Sequence, residues 1–333
     1  MIKTAVLGAG AWGIGLSRVL IDNGHEVTLW SVFESDLTSL RADGTAGNKL
    51  PGIVFPKAEA YTTDLEAAMA GKDILVLAVA SPYVRSTCES MKPYIRKGQI
   101  IVSAAKGIED GSYLTMTQII EEVLPEARVC ALSGPSHAEE VALCLPTTVV
   151  AASTDKAAAD SVQSLFMNPV FRVYTSEDVL GVELGGALKN VIALAAGTAD
   201  GLGYGDNCKA ALMTRGIHEI TNLALKMGAK AETLSGLSGI GDLIVTCTSV
   251  HSRNRRAGFL IGQGFSVEAA MEEVKQVVEG VYAAKAAYHL GMKYQVELPI
   301  IEQVNAVLFE KKDPRLAVED LMMRHKKAEI CRS

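Results

Sequence analysis

The 333-residue sequence has no excess of positive charge: 32 Lys and Arg stand against 38 Asp and Glu, for a formal net charge of −6. Proteins that hold nucleic acid by attraction to its phosphates present a basic face. That role is excluded, and any anion site must be local. Cysteine pairs are missing as well. Cys88, Cys130, Cys144, Cys208, Cys247 and Cys331 include no C-x-x-C, and six scattered cysteines in a chain this long read as reduced cytosolic thiols, not a disulfide framework. His218-Glu219 opens an H-E-x-x-H zinc pattern that Asn222 breaks, so no metal site is expected. The strongest apolar run, residues 74–80, is far too short to span a bilayer. The first sixteen residues imitate a secretion signal, but Gly8, Gly10, Gly13 and Gly15 interrupt the apolar stretch. No internal repeat or low-complexity segment occurs, and the basic run Arg324-His325-Lys326-Lys327 reads as a solvated tail. The expectation is a soluble, cytoplasmic protein.

Hydrophobic residues at 49% and charged residues at 21% describe an ordered globular chain. At about 150 residues per domain the length fits one large or two ordinary domains, and a chain this size buries roughly 75% of its unfolded surface. Apolar runs of strand length recur at 4–7, 26–30, 73–80, 99–104, 128–132, 147–152 and 171–174, separated by stretches of helical length. Continuous apolar strands alternating with helices predict a parallel, doubly wound sheet covered on both faces. After about Asp178 the periodicity is helical, with breaks predicted at 197–205, 234–246, 262–264 and 311–314. The chain therefore reads as an α/β N-terminal doubly wound sheet over residues 1–185 and an all-α domain over 186–333.

The first strand runs into Gly8-Ala9-Gly10-Ala11-Trp12-Gly13 and then a helix closing near Asn23-Gly24. Between a strand and a helix, G-x-G-x-x-G is the Rossmann-type dinucleotide fingerprint. Gly8 allows the tight turn, Gly10 the approach of a pyrophosphate, and Gly13 close helix–strand packing. The helix N-terminus offers free N–H groups to the phosphates, and Gly24 suits a left-handed cap. The second strand ends Leu29-Trp30-Ser31-Val32-Phe33-Glu34, without the acid that marks NAD sites or the Arg that marks NADP sites at the expected place. The choice of nicotinamide cofactor stays open.

Ligands of open α/β sheets gather beyond the carboxyl ends of the strands. There the strand at 99–104 delivers Lys106, and the strand at 128–132 delivers Ser133-Gly134-Pro135-Ser136-His137, with Ser136 expected to cap the following helix. Lys189 is the only charge between Glu183 and Asp200, and Asp242 the only one from Thr233 to Val250. An ammonium among apolar neighbours has its pKa pushed down, as a neutral-pH proton carrier requires. A buried carboxylate wants a cation, and Lys189 is the natural one for Asp242. Ser252-Arg253-Asn254-Arg255-Arg256 gathers three arginines at a helix start, with Ser252 as N-cap. Arginine there opposes the helix dipole unless an anion such as phosphate is bound.

Together these segments resemble the bacterial NAD(P)-dependent glycerol-3-phosphate dehydrogenase family. Further matching stretches are Ser103-Ala104-Ala105-Lys106-Gly107-Ile108-Glu109, residues 184–196, residues 236–248 and Val277-Val278-Glu279-Gly280. The resemblance implies reversible hydride transfer between NADPH or NADH and dihydroxyacetone phosphate, giving sn-glycerol 3-phosphate for phospholipid synthesis, by a homodimer without membrane insertion. It implies Lys189 as the proton carrier, Lys106 as a contact of substrate and cofactor, and Asp242 as the holder of the reacting end. Gly134 and Ser136 match substrate contacts, and Ser252, Arg253 and Asn254 match the substrate's phosphate region. Gly8, Gly10, Ala11, Trp12, Gly13, Ser31, Ala138, Arg253, Val277 and Glu279 match cofactor contacts. The chain departs from the family in three places. Ser31-Val32-Phe33 stands where Arg or His is frequent, Asn48-Lys49-Leu50-Pro51 shortens the N-x-x-Y-L-P loop, and Ala80-Ser81-Pro82 replaces a Pro-Ser pair. Two other readings are a β-hydroxyacid-type dehydrogenase, which would need no phosphate segment, and a non-catalytic nicotinamide sensor, which would need no Lys189.

Overall fold

The computed structural model describes residues 1–56, 58, 60–326, 328 and 329. Cys331 and Lys327 lie outside them; Arg324, His325 and Lys326 are exposed, and Arg324 pairs with Glu297 at 3.0 Å. The five described cysteines are free thiols.

The first half runs β1 (Lys3–Leu7), α1 (Ala11–Asp22), β2 (Glu26–Trp30), α2 (Thr38–Ala42), β3 (Ala60–Thr62), α3 (Leu65–Met69), β4 (Ile74–Leu77), α4 (Val84–Met91) and β5 (Ile100–Ser103). It continues through α5 (Met116–Val123), β6 (Arg128–Ser133), α6 (Ala138–Ala142), β7 (Thr147–Ala152), α7 (Lys156–Phe166) and β8 (Phe171–Ser176). The eight strands form one sheet in the order β3-β2-β1-β4-β5-β6-β7-β8. β4 and β5 are buried along their whole length, because helices cover both faces. The doubly wound arrangement therefore holds, with two corrections. β7 runs antiparallel to β6, so the sheet is not wholly parallel. β3 is a three-residue edge strand of exposed and half-buried residues, and it carries no apolar run to announce it. The sheet order reverses between β1 and β4, and the strand ends there open a crevice.

The second half is helical: α8 (Val179–Gly201), α9 (Asp206–Met227), α10 (Ala231–Leu234), α11 (Asp242–Thr248), α12 (Arg253–Gly262), α13 (Val267–Val274), α14 (Glu279–Tyr294), α15 (Pro299–Phe309) and α16 (Pro314–Met322). α8 is long and apolar enough to cross a bilayer, but 83% of its most apolar window is buried inside the protein. Leu184, Ala187, Leu188, Val191 and Ile192 are fully buried in the helical core. It passes residue 185 without interruption, so sheet and helical bundle are joined by a continuous helix. The Glu183 carboxylate reinforces that join, accepting from Thr117 N (2.9 Å) and Thr115 Oγ1 (2.6 Å) at the start of α5.

The predicted break at 197–205 begins only after Gly201. Gly197 and Gly201 do not interrupt α8; they seat α12, since a Cβ on either would strike the carbonyl of Arg255 or Phe259. Gly258 and Gly262 return the contact against Leu194 and Thr198. The two backbones thus touch along matched i, i+4 glycines, which fixes the start of α12 relative to Lys189. The predicted break at 234–246 is also shorter. A π-helical turn, Leu237–Gly241, leads directly into α11 at Asp242.

Candidate active site

Gly8, at φ +122°, passes so close to the end of β4 that a Cβ would sit 2.7 Å from the Ala78 carbonyl carbon. A Cβ on Gly13 would strike the Gly8 carbonyl, so the loop folds tightly under the start of α1. Gly10 has open space where its Cβ would be, and as N-cap it offers no side chain to the first N–H groups of α1. Unsatisfied helix-start donors beside an open glycine face fit a diphosphate. Ala11, Trp12 and Gly13 form that first turn, and the Trp12 indole donates to Ala104 O at 3.2 Å. Gly24 takes the left-handed conformation at φ +78°. Ala138, at the start of α6, backs this helix, its carbonyl 3.5 Å from where a Gly15 Cβ would lie.

At the carboxyl ends of β5 and β6 two ammoniums share one carboxylate. Asp242, 1% exposed, accepts from Lys189 Nζ at Oδ1 and from Lys106 Nζ at Oδ2 (2.8 Å). The Lys106 ammonium also donates to Gly134 O (2.8 Å) and reaches Ser136 Oγ at 3.4 Å. Burial alone would raise the Asp242 carboxyl, but the two lysines hold it below the usual carboxylate range. Burial pushes the Lys189 ammonium down to about 8, helped by the charge of Lys106 and opposed by that of Asp242. Lys189 also donates to Thr246 Oγ1 (2.8 Å), and the Thr246 hydroxyl donates to Asp242 O (2.6 Å). Two of the three ammonium protons are committed in this way. The third is available to a substrate oxygen.

Ser136 corrects the sequence expectation: the N-cap of α6 is His137, and the Ser136 hydroxyl donates to Gly134 O at 2.9 Å instead. Gly134, at φ +147°, lies against Val149, where a Cβ would approach within 2.9 Å. Ser252 caps α12 as expected, accepting from Arg255 N at 3.2 Å. Arg255 and Arg256 are paired with Asp200 (2.6 Å) and Glu273 (3.3 Å). Arg253 is exposed and has no hydrogen bond or ion pair among the described residues, which leaves its guanidinium to a ligand. Asn254 is buried and points inward. It donates to Asn190 Oδ1 (2.9 Å) and accepts from Gly280 N (2.8 Å), linking α8, α12 and α14.

Val277 is half-buried just before α14. Glu279, the first residue of α14, accepts from Ser81 N at 3.1 Å and from the Ser81 hydroxyl, joining the helical half to the end of β4. Burial pushes its carboxyl up, against the hydrogen bonds from Ser81. Ser31 is buried at the end of β2, with its hydroxyl on Asp36 Oδ2 at 2.6 Å. The sequence reading missed Thr246, Asn190, Ser81, Asp36 and Lys49. Thr246 alone carried a local signal, since it lies one helical turn from Asp242. A cavity of about 1330 Å3 elsewhere in the helical half, lined by Leu212, Glu219, Ile300, Val304 and Leu321, includes none of the site lysines.

Residues 3–159 match the family model for the N-terminus of NAD-dependent glycerol-3-phosphate dehydrogenase, and residues 178–319 match the model for its C-terminus. The glycerol-3-phosphate dehydrogenase [NAD(P)+] of Agathobacter rectalis is 58% identical over 99% of this chain and 98% of its own. The Fusobacterium nucleatum protein of the same name is 55% identical over 99% of both. The crystal structure of glycerol-3-phosphate dehydrogenase from Coxiella burnetii superposes with a TM-score of 0.93 at 37% identity, covering 97% of this chain and 99% of that one. D-mandelate dehydrogenase superposes at 0.66 with 16% identity over 95% of this chain and 99% of its own, a likeness of fold alone. The chain belongs to the NAD-dependent glycerol-3-phosphate dehydrogenase family and is an NAD(P)-linked oxidoreductase of that family.

Proposed function

We propose that the protein reversibly reduces dihydroxyacetone phosphate to sn-glycerol 3-phosphate, with Lys189 as the acid and base. The observation that carries this reading is the lysine–carboxylate–lysine group Lys189–Asp242–Lys106, with Lys189 and Asp242 buried and Lys106 half-buried, beyond the carboxyl ends of the strands. A bound nicotinamide supplies or accepts the hydride at the central carbon. Charge that builds on the carbonyl oxygen during reduction is stabilised by the ammonium of Lys106, and the uncommitted proton of Lys189 moves to that oxygen. In the reverse direction neutral Lys189 takes the hydroxyl proton. Asp242 and Thr246 hold the Lys189 nitrogen in one position for both directions. Arg253, the first residue of α12 and unpaired among the described residues, supports a phosphate contact that orients the substrate. Gly134 and Ser136 line the same side through Lys106.

The dinucleotide fits the Gly8–Gly13 loop, with Ser31, Ala138, Val277 and Glu279 along its course. As parts of the same proposal, residues 1–185 bind the nicotinamide cofactor and residues 186–333 form the substrate domain. The product supplies glycerophospholipid synthesis in the cytoplasm. The active species is a homodimer; Leu225 and Met322, at the rim of the helical-half cavity and 47% and 79% exposed, support a buried apolar contact there. The test is loss of reduced-cofactor absorbance with dihydroxyacetone phosphate. Turnover is expected. Cofactor binding without turnover on this substrate would overturn the proposal in favour of a carboxylate-substrate reductase or a sensor. Sedimentation velocity tests the dimer.

A further inference from the structure

Acids and cations around the end of β2 are paired in a way that bears on which dinucleotide the protein takes; this inference deepens the cofactor assignment and rests on it. A short 3-10 turn, Glu34–Asp36, folds the chain back so that Asp36 meets Ser31 directly after β2. Asp36 Oδ2 accepts from the Ser31 hydroxyl at 2.6 Å, and Oδ1 accepts from Lys49 Nζ at 2.5 Å. The same Lys49 nitrogen donates to Ala9 O, inside the glycine loop, at 2.7 Å. Asp36 therefore lies between the end of the second strand and the phosphate loop, where dinucleotide folds read the 2′ position of the adenosine ribose.

A carboxylate offers about four lone-pair sites. Ser31 and Lys49 use two, which leaves acceptor capacity for a ribose 2′-hydroxyl. A 2′-phosphate needs uncommitted cations instead. Here Lys49 is paired with Asp36, Arg41 with Glu34, and Arg18 with Asp22. Among the described residues around this strand end, each cation is matched by its own carboxylate. A doubly charged phosphate would displace one of those pairs and face Asp36 directly.

We propose that Asp36, held by Ser31 and Lys49, makes this chain selective for NAD(H) over NADP(H). The acid is supplied from six residues beyond the strand, by way of a turn, in place of an acid at the strand end itself. Replacing Asp36 by Asn leaves one neutral carbonyl acceptor where two charged oxygens stood and frees Lys49 from its carboxylate, so it weakens NADH and strengthens NADPH together. Replacing Ser31 removes only the hydroxyl that holds Asp36, so it weakens NADH without that gain.

The experiment measures dissociation constants of NADH and NADPH without substrate, by energy transfer from the protein's tryptophans to the dihydronicotinamide, with thermal melting shifts as a second readout. The wild-type protein is expected to bind NADH at least about tenfold tighter than NADPH. In Asp36→Asn the ratio moves at least about tenfold toward NADPH, and in Ser31→Ala NADH binding alone falls. Equal or tighter binding of NADPH by the wild type, or an unchanged ratio in a folded Asp36→Asn protein, would overturn the inference while leaving the cofactor assignment intact. Failure of the wild type to bind either dinucleotide would overturn both.

Discussion

Asp242→Asn is the most informative perturbation of the site, because it removes the one anion between the buried Lys189 and the half-buried Lys106 without changing shape. In the wild type the base form of Lys189 appears above about pH 8. With Lys189 as the proposed base, oxidation of the alcohol requires that neutral form, so its kcat/KM falls as pH drops below that value. Asp242 favours the ammonium, by charge and by hydrogen bond. At about 4 Å and an effective dielectric of about 20, such a pair is worth about 4 kcal/mol, or about 3 pKa units. The Asn carbonyl retains a hydrogen bond to Lys189, so a net fall of about 2 units is expected. The acid limb of oxidation then moves from about 8 toward about 6, where the second ionisation of the substrate phosphate takes over. On the proposed mechanism reduction needs the ammonium, so at neutral pH its rate falls about tenfold in the same variant. Two facing ammoniums without a counterion also destabilise the fold by about 3 to 5 kcal/mol, which a denaturant titration measures. Initial rates in both directions across about pH 6 to about 10 provide the assay. An acid limb that stays in place or rises in a folded Asp242→Asn protein would refute Lys189 as the base.

Thr246→Val deletes a second acceptor of the Lys189 ammonium, worth about 1.5 to 3 kcal/mol; the oxidation acid limb is expected to fall by about one unit and kcat with it, and Thr246→Ser to restore both. Arg253→Ala, at the unpaired arginine of α12, should raise KM for dihydroxyacetone phosphate about 10- to 100-fold while changing kcat far less, as steady-state kinetics will read. Glu219 is buried against the start of α15, accepting from Ile300 N at 2.9 Å, and burial pushes its carboxyl up to about 7. Because the folded state keeps this proton where the unfolded chain has lost it, stability declines as pH rises from about 4.5 to about 7, by about 3 kcal/mol. Glu219→Gln should flatten that part of the pH–melting curve; parallel curves for the two proteins would show that Glu219 does not titrate there.

The fold was largely legible because each of its main elements carries its reason in its own residues. β4 and β5 are buried on both faces, so nearly every side chain in them had to be apolar. The Gly8-Ala9-Gly10-Ala11-Trp12-Gly13 turn spells out its contacts, since the positions that touch Ala78 and Gly8 admit no Cβ. The failures are equally physical. β7 runs antiparallel to β6 but parallel to β8, and its mostly small and apolar residues Thr147–Ala152, buried or half-buried, carry no mark of strand direction. Gly197 and Gly201 suggested a helix end, because a glycine that breaks a helix and one that lets a second helix approach are the same letter. Only the presence of Gly258 and Gly262 opposite them, 61 residues on at matching spacing, separates the two cases.

The site divides along the same line. Lys189 and Asp242 were visible because a lone charge in an apolar segment is costly unless something distant repays it, and each was the other's most economical partner. The third member, Lys106, sits in a loop where a solvated lysine is unremarkable, so nothing local required its bond to Asp242. Asp36 was harder still. It lies in an exposed acidic turn beside Glu34, and its charge needs no explanation there. What gives it a role is the reversal that returns it to Ser31 and the 40-residue jump by which Lys49 reaches Ala9. Residues whose burial is anomalous reveal themselves in sequence, whereas residues whose position is anomalous do so only after the chain has folded. On our proposals, acid–base chemistry in this protein is carried mainly by the first kind and dinucleotide discrimination by the second. Selectivity for the dinucleotide can therefore change through the 34–49 loop without disturbing Lys189, Asp242 or Lys106.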